Sequence, residues 1–185
     1  MIAGERIILR PLEQTDLETL WRWINDAEVA HTLGGRFPRS LLEEQRWLER
    51  ERDNTKELRF GIQIAEGQLI GSCGLHRIDP VNHNASLGIM IGEKEYWGQG
   101  YGTDAMLTLC AFGFGQMNLH RIGLHVFAFN PRGIACYEKV GFVHEGRLRE
   151  AYYKHGAYQD LLEMGLLRDE FRVKWPERWP QAASE

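Results

Sequence analysis

A chain of 185 residues is long enough to bury a core of its own, and its 43% hydrophobic and 26% charged residues are a globular composition that excludes a disordered chain. A formal net charge of -4 leaves no basic footprint for nucleic acid, and no apolar run approaches the roughly 20 residues of a membrane span. Cys73, Cys110 and Cys136 include no Cys-x-x-Cys pair and the histidines no ligand spacing, so reduced thiols, a cytoplasmic setting and no metal are expected.

Met1 to Arg10 holds acid and base too early for a secretory signal, and Glu5 to Arg10 alternates around Ile7 and Leu9 as a first strand. Thr15 is placed to cap a helix from Asp16 toward Asn25, whose buried stripe is Leu17, Leu20, Trp21 and Ile24. Asp26 to Arg39 is polar and contains Gly34, Gly35 and Pro38, which makes it a loop bordering a binding site. Ser40 caps a second helix to about Asp53, with Glu43 completing a capping box and many Glu and Arg residues forming a solvated face.

Leu58 to Ala65, Leu69 to Ile78 and Ala85 to Ile91 read as a strand meander, its turns at Glu66-Gly67 and Asp79-Pro80-Val81-Asn82. Thr103 to Phe114 is apolar nearly all round and must be a buried helix. A strand at Arg121 to Phe129, a short helix from Pro131 to Val140 closed by Gly141, and strands near Val143 to Tyr153 and Tyr158 to Leu167 complete the pattern. The fold class is α/β (α+β): one mixed, twisted sheet of about six to seven strands, antiparallel early and parallel around the crossover helices. Residues 1–170 form a single domain and 171–185 a C-terminal tail, whose Trp175 and Trp179 are free to cover a groove, a homodimer seam or their own domain.

Chemistry concentrates in two stretches. Tyr96-Trp97-Gly98-Gln99-Gly100-Tyr101-Gly102-Thr103 lies between an apolar strand and the buried helix. Glycines there let backbone N–H groups approach an anion, and the helix N-terminus adds its positive dipole end. A phosphate-binding P-loop would need a Lys that is absent, and a dinucleotide fingerprint would need an acid where His120, Arg121 and His125 stand. A tight strand-to-helix turn explains the glycines equally well, but Gly88 inside the preceding strand marks a bulge or a close backbone approach and favours a cofactor laid along that strand. The second stretch runs from Phe127 to Phe142. Asn130 caps, Pro131 opens and Gly141 ends its helix, which leaves the hydroxyl of Tyr137 in need of a partner.

Together, Trp97-Gly98-Gln99-Gly100-Tyr101-Gly102-Thr103 and Asn130-Pro131-x-x-Ile134-x-x-Tyr137-Glu138-Lys139-Val140-Gly141-Phe142 resemble the two CoA-binding motifs of the GNAT acetyltransferases, nearest to the RimJ/RimL-like and spermidine N-acetyltransferase-like branches. The resemblance extends from about Glu5 to Phe171. It implies a sheet splayed between Ala85 to Ile91 and Arg121 to Phe129, with acetyl-CoA in the gap. Main-chain groups of Ile89 and Ile91, with Met90 between them, would meet the pantetheine, N–H groups from Gln99 to Thr103 the pyrophosphate, and Asn130 and Ala135 the cofactor arm. Tyr137 would be the general acid toward the departing thiolate, and a phenol of pKa about 10 suits a thiol near 8.5.

The acceptor amine must be neutral to attack, which at pH 7 costs a lysine-like amine roughly 4 to 5 kcal/mol and an α-amine far less. Many relatives carry a Glu where this chain has Ser86, so no base is assigned; a water relayed by Ser86 or a nearby His, or a carboxylate elsewhere, takes that role. His76, His83 and His125 read as surface or packed histidines. Asp26, Glu28, His31 and Ser86 are the candidate acceptor contacts, and Trp97, where Gln or Arg is common, marks the RimJ/RimL-like branch. The implied reaction is acetyl transfer from acetyl-CoA to a protein N-terminus or a small-molecule amine, with polyamine acetylation as the alternative. A catalytically idle acyl-CoA sensor is the reading from another class, and neither nucleic acid nor membrane is an expected partner.

Overall fold

The computed structural model describes residues 1–35, 38–52 and 55–179. In chain order its elements are β1 (Ile2–Ala3), β2 (Ile7–Arg10), α1 (Leu17–Asn25), α2 (Ala27–Ala30), α3 (Leu41–Arg52), β3 (Leu58–Ile64), β4 (Leu69–Asp79), β5 (Asn84–Ile91), α4 (Tyr101–Gly115), β6 (Arg121–Phe127), α5 (Pro131–Val140), β7 (Val143–Lys154), β8 (Ala157–Leu167) and α6 (Arg168–Lys174). One sheet runs β1-β2-β3-β4-β5-β6-β8-β7, eight strands where about six to seven were expected. The addition is β1, too short to carry an alternating pattern, which pairs through Ile2 and Leu9. Parallel pairing occurs where α4 crosses from β5 to β6. The second crossover, α5, creates no parallel neighbours, because β8 inserts between β6 and β7 and runs antiparallel to both.

The β5–β6 ladder covers only Asn84 to Ser86 against Arg121 to Gly123. Beyond it β5 stays with β4 as far as Ile91, and β6 stays with β8 as far as Phe127. The sheet therefore opens into a wedge from Leu87 onward, and peptide groups on its two inner edges lack ladder partners across the gap.

The main core lies between one face of the sheet and α4. Ala105, Met106, Leu109 and Cys110 of α4 are fully buried, as are Ile62, Ile70, Leu75 and Ile122 beneath them. Each large side chain of this set contributes roughly 1.5–3 kcal/mol of apolar burial. On the other face Leu20, Trp23 and Val29 form a smaller cluster that also holds Met90 and Trp97.

Three local expectations are corrected. Thr15 is not the cap of α1: the chain enters through a 3-10 turn at Gln14–Asp16, where Asp16 Oδ2 accepts the Glu13 N–H at 2.8 Å and Arg10 Nη1 at 2.8 Å. Trp21 is not part of the buried stripe, since Trp23 occupies that place and Trp21 is exposed, donating from Nε1 to Arg39 O at 2.7 Å. The stretch expected as a tail starts inside α6, where Phe171 is buried against Phe114 with ring centroids 5.4 Å apart. Trp175 donates from Nε1 to Val140 O at 2.7 Å, so this tryptophan packs on its own domain. The capping box of α3 has Ser40 N–H donating to Glu43 Oε2 at 2.7 Å, while Asp53 lies outside the described residues.

Candidate functional site

The wedge and the N-terminus of α4 meet in a cleft of about 320 Å³. The turn that enters α4 has Gly98 at φ +73° and Gly100 at φ +89°, a left-handed conformation that a side chain would strain. A Cβ at Gly98 would touch nothing within 4 Å, so backbone conformation and open access, not crowding, select glycine there. N–H groups in the first turn of α4 have no intrahelical acceptor and point at the cleft with the positive end of the dipole. Asp104, the acid in that turn, faces away: its carboxylate accepts the Glu5 N–H at 3.2 Å and the Arg6 N–H at 2.8 Å.

Trp97 donates from Nε1 to Ile91 O at 2.7 Å, which shows that the Ile91 peptide edge points away from β4. Edge groups alternate with period two, so the main chain of Ile89 points into the same gap. One lone pair of the Ile91 carbonyl is thus already used, while Ile89 offers an open donor and acceptor. On the facing wall the Asn130 side chain accepts the Gly133 N–H at 3.0 Å and caps α5, and Pro131 fills the first position. Gly141 ends α5 at φ +122°.

Tyr137 lies on the cleft-facing side of α5, half-buried, its ring edge-on to Phe142 at 6.3 Å. Its hydroxyl has no hydrogen-bond partner among the described residues, yet it is not sealed in the core, so it meets the open cleft. Burial pushes its pKa above the usual phenol value, and the phenol stays protonated.

The cleft collects Ile89, Met90, Ile91, Trp97, Gly98, Gly100, Gly102, Thr103, Asn130, Ala135 and Tyr137. Gln99 and Tyr101 are not among its lining. Gln99 folds back to Glu95 O, and Tyr101 turns outward beneath the Arg6 guanidinium, 4.0 Å from its ring centre. The lining also includes Arg132 and Lys139, cations that sequence reasoning passed over. Their signal was the spacing of seven on α5, which places them on one side of the helix two turns apart. Arg132 stacks on the Trp97 ring at 3.7 Å.

The four candidate acceptor residues do not converge. Asp26 caps α2 through Glu28 N–H and Val29 N–H and is paired with Lys94 at 3.0 Å, which also holds Glu28 at 3.0 Å. The Lys94 and backbone hydrogen bonds keep the Asp26 carboxyl below its usual pKa. His31 lies elsewhere, stacked on His155 at 4.4 Å in a second cavity between α1, α2 and the β7–β8 turn. The two cavities share Leu33. Ser86 sits on β5 opposite His76 and Gly123, at the root of the wedge. Gly88 is in regular register with Gly74, so it marks a close approach and not a bulge.

A splayed sheet with a glycine-lined helix N-terminus on one wall and a half-buried phenol on the other defines a phosphorylated-cofactor acyltransferase. Residues 6–143 match the acetyltransferase (GNAT) domain model, and the chain belongs to that family. The spermidine N(1)-acetyltransferase of Vibrio cholerae serotype O1 is 30% identical over 168 residues, covering 91% of this chain and 96% of that one. The corresponding Escherichia coli K12 enzyme is 28% identical over 92% of this chain and 91% of its own length. The crystal structure of the Vibrio cholerae enzyme in complex with CoA and spermine superposes with a TM-score of 0.86 at 29% identity, over 91% of this chain and 99% of that one. The protein is an acetyl-CoA-dependent N-acetyltransferase.

Proposed function

We propose that the protein acetylates the amine of a singly charged acceptor, an N-terminal α-amine or a small monoamine, with Tyr137 as the general acid. Bound acetyl-CoA supplies the activated acetyl thioester. First-turn N–H groups of α4, with Arg132 and Lys139, fit its phosphates, and the Ile89 edge fits its amides. Trp97 and Arg132 stack on each other within the cleft lining, 3.7 Å apart. Tyr137 Oη holds a proton in a place where a leaving thiolate can take it.

The acceptor class rests on one observation. Among the described residues, the cavity that adjoins the cleft at Leu33 is lined by His31, Arg39, Lys154 and His155 and by no carboxylate. Lys154 is buried and ties this wall together by donating to Ala30 O at 2.8 Å and Gly35 O at 3.2 Å. A polyamine carries several positive charges and needs several carboxylates, whereas Asp26 and Glu28 share Lys94 as a partner at 3.0 Å each and Glu44 is paired with the lining residue Arg39 at 3.3 Å. The names of the relatives favour the second reading, a polyamine acceptor. Three free cysteines support a reducing, cytoplasmic setting.

The deciding measurement is release of free CoA with a serine-headed peptide, phenethylamine and spermidine as acceptors. A kcat/KM for one of the first two at least about tenfold above that for spermidine is expected. Preference for spermidine would establish the second reading.

A further inference from the structure

Gly88 is glycine because of a neighbour on another strand. A Cβ there would come within 2.8 Å of His76 Nε2, so the imidazole of His76 lies across the Gly88 backbone. His76 is opposite Ser86 in the β4–β5 ladder, and its ring leans two residues further along β5, to Gly88, past the last β5–β6 pair at Ser86. Its Nδ1 is 3.3 Å from Glu57 Oε2, and that carboxylate is held in turn by Arg59 at 2.8 Å. An Nδ1 facing a carboxylate carries the ring proton, which leaves the lone pair on Nε2. The aim is built into the backbone: the β4–β5 register breaks directly after His76, and Arg77 takes a left-handed φ of +50°. A bulge beside a site commonly redirects a side chain in this way.

We propose that His76 is the general base, its Nε2 taking the proton of the acceptor ammonium directly or through one water, with Glu57 as the positioning residue. The proposal rests on the acetyltransferase reading and supplies the base missing at Ser86. In the balance of the step, one C–N bond forms as one C–S bond breaks. Of the two protons that leave the ammonium, one goes through His76 to solvent, and the other replaces the proton that Tyr137 gives to the thiolate. The ionisable groups facing the ring are Glu57 and Arg59 from the β3 side and Arg77 from its own strand; β5 contributes none. Burial first, then Arg59, lower the His76 pKa against the opposing pull of Glu57, so the ring is neutral and able to accept at neutral pH. His125, an imidazole on β6 two strands away, has its Nε2 taken by Glu163 at 3.1 Å.

The test combines binding, titration and rate. His76→Gln is expected to lower kcat/KM for the better of the peptide and phenethylamine by about a hundredfold. Its acetyl-CoA dissociation constant, read by calorimetry, should stay within about twofold of wild type, which separates this proposal from loss of the cofactor site. NMR titration of the His76 ring in the amine-free protein should give a pKa that falls in Glu57→Gln, and the acid limb of kcat/KM should fall with it. Gly88→Ala, which displaces the ring without deleting it, should reproduce part of the rate loss. Wild-type kcat/KM in His76→Gln, an acid limb that ignores the measured ring pKa, or a hundredfold loss in His125→Gln instead would overturn the assignment.

Discussion

Arg178 Nη1 lies 2.9 Å from Asp104 Oδ1, which joins the C-terminal 3-10 turn to the first turn of the cofactor helix. Asp104 is 5% exposed, and the same carboxylate accepts the Glu5 and Arg6 N–H groups, so it anchors three distant parts of the chain at the base of the glycine turn. Removing one partner of a buried, hydrogen-bonded pair leaves the other charge without compensation. Arg178→Ala should therefore destabilise the fold by about 2 kcal/mol, a fall in Tm of roughly 4–8 °C for a chain of this size. Calorimetric unfolding checks this, and an unchanged Tm would show that the backbone N–H groups alone satisfy Asp104.

Gly92 follows β5 with Trp23 pressed against it: a Cβ would fall 2.0 Å from Trp23 Cδ2. Trp23 is 1% exposed and centres the smaller core, so neither partner can yield. Gly92→Ala should destabilise by about 3 kcal/mol and shift tryptophan fluorescence to the red as Trp23 is driven toward water. Denaturant unfolding followed by fluorescence tests both effects, and retention of the wild-type midpoint would refute the contact.

What could be read from the sequence is what local backbone chemistry writes into it. Gly98, Gly100, Asn130, Pro131 and Gly141 each report a left-handed position, a cap or a helix start within a few residues, and together they located the two walls of the cleft. Thr15 misled because a 3-10 turn precedes α1, and Asp16, one residue on, secures that turn by accepting the Glu13 N–H and Arg10. Strand β1 and helix α6 were too short to show a period. His76 stayed illegible for another reason: its meaning depends on a cross-strand register that sets it against Gly88, and no spacing along the chain encodes that. Likewise Asp26 and Glu28 read as acceptor contacts because Lys94, 66 or more residues away, was not visible as their partner.

Asp16 gives the fold an acid-side dependence. Burial alone would raise its pKa, but the hydrogen bonds from Arg10 and the Glu13 N–H outweigh it and hold the carboxyl below its usual value. A carboxylate depressed in the folded state contributes stability that is present above the unfolded value of about 3.9 and is lost as pH falls through the folded one. Asp16→Asn should lower stability at neutral pH and flatten the loss of stability below about pH 4. Urea midpoints measured across that range are the check, and parallel curves for variant and wild type would rule the pair out as the cause.

Arg132 serves two contacts with one guanidinium: its stack on Trp97 and its position on the cleft wall. The resemblance between this wall and a phosphate site predicts a salt-sensitive contribution, since a charge half open to solvent is screened. Arg132→Ala should raise the acetyl-CoA dissociation constant about tenfold at low ionic strength and by less in high salt. Calorimetry at two salt concentrations reads this directly; a salt-independent loss would assign the effect to the tryptophan stack instead.

Tyr137→Phe isolates the proton from the packing. The ring makes its edge-on contact with Phe142 through carbon, and the hydroxyl has no hydrogen-bond partner among the described residues, so the variant loses no internal bond. Stability and acetyl-CoA affinity should both hold, while kcat falls by about a hundredfold because the thiolate must leave without a positioned acid. The elevated phenol pKa adds a pH signature: wild-type activity should persist well above the pH at which an ordinary tyrosine ionises, and no alkaline limb should fall near pH 10. An acceptor-saturated rate profile gives both readings at once. A wild-type kcat in the variant would move the acid elsewhere, and Cys136, beside Thr103 Oγ1 at 3.5 Å on the same wall, would be the next donor to replace.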